Sequence, residues 1–133
     1  MTKILIVENE GPNVEILTRL LKRNQFEIAV ANNGRDAVAM AKSERPDLIL
    51  MDIGIPNCEG EPENRLGGVE ATQQIRLAAD TKHIPIIALT ASTMPDDKKR
   101  FLEAGCDAVQ AKPFMFPELI AAINDRLKVN AVG

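Results

Sequence analysis

The chain has 133 residues, a length typical of one domain that buries a core without a disulfide or a structural metal. Its net charge is −3 and no basic stripe is present, which argues against nucleic acid or an anionic membrane as a direct partner. The apolar runs are too short to span a bilayer and no signal peptide precedes them, so we expect a cytoplasmic protein.

Strand-like and helix-like patterns alternate from the first residues onward. Residues 4–7 form a continuous apolar run typical of a central parallel strand, and Pro12 then suits the first turn of a helix. Residues 26–31 predict a second strand, which ends at the turn and capping signal of residues 32–34. The apolar spacing that follows predicts a second helix that stops before Pro46.

The second half of the chain repeats this alternation three times. Residues 48–51, 85–89 and 107–111 predict three further strands, the last of them the weakest. The third helix is predicted from the helical spacing of Val69, Thr72, Ile75 and Ala79. The fourth and fifth helices begin at prolines, and Gly105 is predicted to close the fourth.

Five strands alternating with five helices predict an α/β fold, in which a parallel sheet is covered by helices on both faces. Right-handed crossovers favour the flavodoxin-like strand order 2-1-3-4-5, a (βα)5 three-layer sandwich. We expect residues 1–133 to form a single domain. It carries a loop insertion at about residues 57–68, which are turn-rich and long for a strand-to-helix connection.

Polar residues follow four of the five predicted strands. Glu8 and Asn9 follow the first strand, Asp52 the third, Thr90 the fourth and Lys112 the fifth. Ligands of such sheets bind outside the carboxyl ends of the strands, so these side chains are expected to converge there. Acids suit a hard cation such as Mg²⁺, and a hydroxyl and an ammonium suit phosphoryl oxygens. Each residue also has a plainer interpretation: a solvated acid, a capping hydroxyl or a surface cation.

Six stretches of the chain resemble the receiver domain of bacterial response regulators, the CheY-like family. They are ILIVENE, ANNGRDAV, PDLILMDIGIP, GGVEATQQIR, IPIIALTAS and EAGCDAVQAKPF, and with the helix after them they cover nearly the whole chain. The resemblance implies that Asp52 accepts a phosphoryl group from a histidine kinase or phosphotransfer protein, and that Thr90 and Lys112 then bind the phosphoryl oxygens. It further implies a phosphoacceptor rather than an enzyme, one that assists its own phosphorylation and dephosphorylation. The downstream protein would bind the face of the fourth helix, fifth strand and fifth helix.

The resemblance also implies a Mg²⁺ site and a peptide bond of unusual geometry. The metal ligands would be Glu8, Asn9, Asp52 and the backbone carbonyl of Gly54. The bond before Pro113 is typically cis in this family, a rare form that positions the preceding lysine.

Three features depart from the family pattern. Asn9 stands where a second acid is usual, so the metal site loses one negative charge and weaker Mg²⁺ binding is expected. Val109 replaces an aromatic residue and is too short to swing between buried and exposed positions. The loop after Asp52 has about eight extra residues between Gly60 and Gly68.

Two interpretations of the function stay open at this point. The first is a single-domain response regulator that signals through protein contacts after phosphorylation of Asp52. The second is a pseudo-receiver, a phosphorylation-independent interaction module with a weakened Mg²⁺ site. A flavin- or nucleotide-binding protein fits poorly, because the loop after the first strand carries glutamates where phosphate needs amides and hydroxyls. A phosphatase with an aspartyl nucleophile is disfavoured, because Gly54 stands where such enzymes carry a second Asp.

Overall fold

Strands and helices alternate along the described residues of this computed structural model, which are 2–54, 67–91, 94–112 and 115–132. The strands are β1 (Lys3–Val7), β2 (Glu27–Ala31), β3 (Leu48–Asp52), β4 (Ile86–Thr90) and β5 (Ala108–Ala111). The helices are α1 (Gly11–Arg23), α2 (Gly34–Ser43), α3 (Gly67–Leu77), α4 (Pro95–Ala104) and α5 (Phe116–Val132). All strand pairs are parallel and the order is β2-β1-β3-β4-β5, which confirms the predicted fold and topology.

Local signals in the sequence account for several helix ends. Asn33 caps α2, because its Oδ1 accepts a hydrogen bond from the Asp36 amide at 2.7 Å. Gly105 ends α4 with φ of 122°, a conformation that favours glycine. None of the described helices is both long and apolar enough to cross a membrane.

One predicted helix end is wrong. Ala79 was assigned to the third helix, but α3 ends at Leu77. The Thr81 hydroxyl donates to the Ile75 carbonyl at 2.7 Å, so a side chain satisfies one of the carbonyls exposed at the helix end. A turn closed by the Thr81 amide and the Ala78 carbonyl at 3.2 Å then leads the chain towards β4.

Two sequence predictions fall partly or wholly outside the described residues. Residues 57–66 of the predicted insertion and Pro113 with its preceding bond lie there. Gly67 and Gly68, the last two residues of the predicted insertion, form the start of α3.

The sheet is buried on both faces, because alternate residues of each strand point to opposite sides. Helices α1 and α5 cover one face, and the buried residues there are Ile4, Ile6, Leu17, Leu21, Leu48, Leu50, Ile87, Leu89, Leu119 and Ile123. Helices α2, α3 and α4 cover the other, where the buried residues include Leu5, Val7, Ala37, Ala41, Ile49, Met51, Ile75, Ile86, Ala88 and Phe101. Burying each large apolar side chain stabilises the fold by ~1.5–3 kcal/mol. The central strands are thus firmly held, and so are the polar residues at their carboxyl ends.

Candidate functional site

The carboxyl ends of the strands bring the predicted site residues to one edge of the sheet. Asp52 and Thr90 are the last residues of β3 and β4, two neighbouring strands of the sheet. The Lys112 amide donates to the Thr90 carbonyl at 2.8 Å, so Lys112 directly continues the pairing of β4 with β5. The Glu8 amide donates to the Ala31 carbonyl at 3.0 Å and continues the pairing of β1 with β2 in the same way.

A single ammonium group bridges two carboxylates at this edge. Lys112 Nζ lies 3.1 Å from Glu8 Oε2 and 3.2 Å from Asp52 Oδ2. Glu8 is completely buried and Asp52 is 6% exposed, while the Lys112 side chain is 20% exposed. The plainer interpretations of Glu8 as a solvated acid and of Lys112 as a surface cation are therefore excluded.

Burial and charge shift the protonation of this cluster. Burial, and to a lesser degree the neighbouring Asp52 carboxylate, raise the pKa of Glu8 from 4.5 to about 7, although Lys112 acts in the opposite direction. Burial disfavours the charged form of Lys112, but Asp52 and Glu8 outweigh it and raise the pKa of Lys112. Glu8 therefore changes from a neutral to a charged side chain near neutral pH, while Lys112 stays protonated.

The Asp52 carboxylate is held at both oxygens. Oδ1 accepts a hydrogen bond from the Gly54 amide at 3.1 Å, and Oδ2 faces Lys112. The backbone just after Asp52 is fixed as well, because the Ile53 amide donates to the Leu89 carbonyl at 3.1 Å. A carboxylate oriented in this way at the edge of a buried strand is suited to act as a nucleophile.

Asn9 lies at the surface, whereas Thr90 is buried at the end of β4. Asn9 is exposed, and within the described part of the chain it makes no hydrogen bond to Glu8, Asp52 or Lys112. The loop turns back at this point, since the Glu10 amide donates to Glu8 Oε1 at 3.3 Å. Thr90 is 7% exposed at the end of β4.

The oxygen donors at this edge fit a hard cation. They are the carboxylates of Glu8 and Asp52, the Asn9 amide oxygen and the Gly54 carbonyl, all of the type that Mg²⁺ prefers. Among the residues that the structure describes, no group of three or more His, Cys, Asp or Glu could hold a metal ion. The set therefore suits Mg²⁺ by its chemistry but carries less negative charge than a three-acid site.

Val109 lies in β5, where it is partly buried and packs against the core beneath α2, α3 and α4. Its environment is that of an ordinary core residue.

The complete burial of Glu8 was not predicted from the sequence. The available signal was its position directly after four buried apolar residues of β1.

Comparisons with known proteins agree with one another. A family model described as response regulator receiver domain matches residues 4–124. The polar-differentiation response regulator DivK of Brucella anthropi is 34% identical over 124 residues, which cover 93% of this chain and 94% of the relative.

Solved structures of receiver domains and response regulators are also similar to this chain. The receiver domain of the sensor histidine kinase PA1611 from Pseudomonas aeruginosa has a TM-score of 0.83 and 31% identity, covering 96% of this chain and 98% of that one. It is described with a magnesium ion coordinated in the active site cleft. The chemotaxis response regulator CheY4 of Vibrio cholerae has a TM-score of 0.83 and 26% identity, covering 95% of this chain and 98% of that one.

Proposed function

Since this chain belongs to the family of response regulator receiver domains of two-component systems, we propose that it is a single-domain response regulator phosphorylated on Asp52. The donor is a histidine kinase or phosphotransfer protein, and the phosphorylated chain signals by binding a downstream protein. The match to the DivK relative over 94% of its length supports a single receiver domain over residues 1–133, with an insertion at about 57–68. The proposed location is cytoplasmic.

One observation carries the proposal: Asp52 and the buried acid Glu8 both pair with the Lys112 ammonium group at the carboxyl edge of the sheet. During transfer an Asp52 oxygen forms a bond to phosphorus, and the bond from phosphorus to the donor histidine nitrogen breaks. The nitrogen keeps that electron pair, and Asp52 becomes an acyl phosphate. In this proposal Lys112 and Thr90 then pair with the phosphoryl oxygens.

The proposed metal ligands are Glu8, Asn9, Asp52 and the Gly54 carbonyl. When bound, Mg²⁺ supplies positive charge that offsets the negative charge of the phosphoryl oxygens. The magnesium ion described for the PA1611 receiver domain supports this assignment. Lys112 supplies the protein's own positive charge at the same edge, and the Gly54 amide orients the acceptor carboxylate. With these groups the chain assists its own phosphorylation and dephosphorylation, although it is a phosphoacceptor rather than an enzyme.

The proposed surface for the downstream protein is the face of α4, β5 and α5. Large apolar side chains are exposed around α4 and at the start of α5. They are Met94 at 62%, Leu102 at 40%, Met115 at 61% and Phe116 at 43% exposure. Exposed apolar groups of this kind favour a protein partner over nucleic acid or a membrane surface, given the net charge of −3.

A second candidate function is a pseudo-receiver that binds partners without phosphorylation. The observation that favours it is Asn9, which leaves the proposed metal site with only two carboxylates, those of Glu8 and Asp52. This candidate predicts that small phosphodonors leave the wild-type chain unmodified.

The assignment of the acceptor is tested by replacing Asp52 with Asn. A small phosphodonor such as acetyl phosphate should give a hydroxylamine-labile mass increase in the wild type and none in Asp52→Asn. The matched control is Asp80→Asn, which changes an exposed acid in the turn after α3 and should keep the adduct. A labile adduct that survives in Asp52→Asn would refute the assignment.

A further inference from the structure

Gly68 lies in the first turn of α3, directly against the backbone that carries Asp52. A Cβ atom at this position would lie 2.6 Å from the Asp52 carbonyl oxygen and 2.7 Å from the Ile53 Cα. Both are backbone atoms, so neither can rotate away as a flexible side chain could. The Gly68 amide also donates to the Ile53 carbonyl at 3.3 Å. The absence of a side chain at Gly68 therefore sets how closely α3 approaches the end of β3.

The segment of residues 52–54 is held from two sides. On one side β4 holds it, because the Ile53 amide donates to the Leu89 carbonyl at 3.1 Å. On the other side, the segment contacts the first turn of α3. That turn is stabilised by the buried Thr72 hydroxyl, which donates a hydrogen bond to the Gly68 carbonyl at 2.8 Å. Displacing α3 would therefore move this segment or strain its pairing with β4.

We propose that Gly68 is a positioning residue for the phosphoacceptor. Its missing side chain lets α3 fix the backbone of residues 52–54, which places the Asp52 carboxylate and the Gly54 amide that binds its Oδ1. This inference rests on the proposed function, in which Asp52 is the acceptor. Gly68 contacts neither donor nor phosphoryl group, and it acts only through the backbone of β3.

The size of the effect follows from the distances. Bringing an added Cβ from 2.6 Å to an ordinary contact of 3.4 Å requires a displacement of about 0.8 Å between α3 and β3. A misplacement of about 1 Å in a reacting group lowers a rate by roughly a hundredfold. We therefore expect Gly68→Ala to lower the rate of phosphorylation by acetyl phosphate roughly ten- to hundredfold.

Two other glycines provide matched controls. At Gly11, in the first turn of α1, an added Cβ meets nothing within 4 Å, so Gly11→Ala should behave as wild type. At Gly105 the φ of 122° and the Arg76 Cγ at 2.7 Å make alanine strained. This glycine precedes β5, at the edge of the sheet opposite Asp52, so Gly105→Ala is a destabilised variant with an undisturbed acceptor.

The experiment measures two properties of the same full-length variants. The first is the phosphorylation rate by intact mass, and the second is the amide chemical shift of Gly54 without any donor. Gly68→Ala should move the Gly54 amide and slow phosphorylation, whereas Gly105→Ala should do neither despite its lower stability. If Gly68→Ala matches Gly105→Ala in both properties, the inference is overturned.

The two proposals fail in distinguishable ways. If the wild type is not phosphorylated at all, the proposed function fails, and the Gly54 amide shift alone decides whether Gly68 positions the segment. If Gly68→Ala does not fold, the same two measurements are made on Thr72→Val. This change removes the hydrogen bond to the Gly68 carbonyl without adding a clash. A Gly54 amide and a phosphorylation rate unchanged in Thr72→Val would then overturn the inference.

Discussion

Replacing Glu8 with Gln should change how the stability of the metal-free protein depends on pH. Glu8 is completely buried beside Asp52, and its pKa is raised from 4.5 to about 7, chiefly by burial. At pH values between 4.5 and about 7, Glu8 is therefore protonated in the folded protein and ionised in the unfolded protein. The stabilisation from this proton is fully present below the unfolded pKa and is lost as the pH rises through 7.

The pKa values set the expected magnitude. A shift from 4.5 to about 7 corresponds to a loss of about 2–3 kcal/mol in unfolding free energy between about pH 5 and about pH 8. Glutamine has the shape of the protonated acid and does not titrate, so this loss should be absent in Glu8→Gln. Titrating groups away from Glu8, Asp52 and Lys112 contribute equally to both proteins, and their effects cancel when the two are compared.

Urea unfolding followed by far-UV circular dichroism is the suitable assay, because the chain contains no Trp or Tyr for intrinsic fluorescence. Measurements at several pH values with a chelator present compare the wild type, Glu8→Gln and Glu10→Gln. Glu10 is exposed and two residues away, so its substitution should keep the wild-type pH dependence. Parallel pH dependences for the wild type and Glu8→Gln would show that Glu8 does not have a raised pKa in the folded protein.

Two further predictions concern the departures from the family pattern. Replacing Asn9 with Asp should tighten Mg²⁺ binding several-fold to ~100-fold by calorimetry, because it restores an anionic oxygen near Glu8 and Asp52. Equal affinities of the wild type and Asn9→Asp would show that residue 9 does not face the ion. Adding beryllofluoride should shift amide resonances mainly at the strand ends and around residues 90–97, with little change at Val109, which is packed in the core. A large shift confined to the region of Val109 would contradict this.

Much of the fold could be predicted because its determinants are local. The apolar runs of β1 and β3 are as long as strands buried on both faces require, and Asn33 and Gly105 mark helix ends by their own chemistry. The strand order follows from the alternation and the handedness of crossovers. The end of α3 could not be predicted in the same way. It depends on a hydrogen bond from the Thr81 hydroxyl to the Ile75 carbonyl, a side-chain contact that the spacing of apolar residues does not reveal.

The convergence of three predicted residues at one edge of the sheet could be predicted from the sequence, but the details of their contacts could not. A parallel sheet places all its carboxyl ends at one edge, so Glu8, Asp52 and Lys112 could be grouped from the sequence. The ion pair between Glu8 and Lys112 joins residues 104 positions apart, and no local pattern in the sequence gives the depth at which Glu8 is buried. The close approach at Gly68 is likewise a packing distance, which no sequence pattern gives.

The most direct test of the central claim is the intact mass of the wild-type chain after incubation with a small phosphodonor, with and without Mg²⁺. We expect a hydroxylamine-labile increase of one phosphoryl group that requires Mg²⁺ and is absent in Asp52→Asn. Because Asn9 removes one negative charge from the metal site, the Mg²⁺ concentration needed should fall in Asn9→Asp. An unchanged mass of the folded wild type at saturating Mg²⁺ would contradict the account and favour the pseudo-receiver.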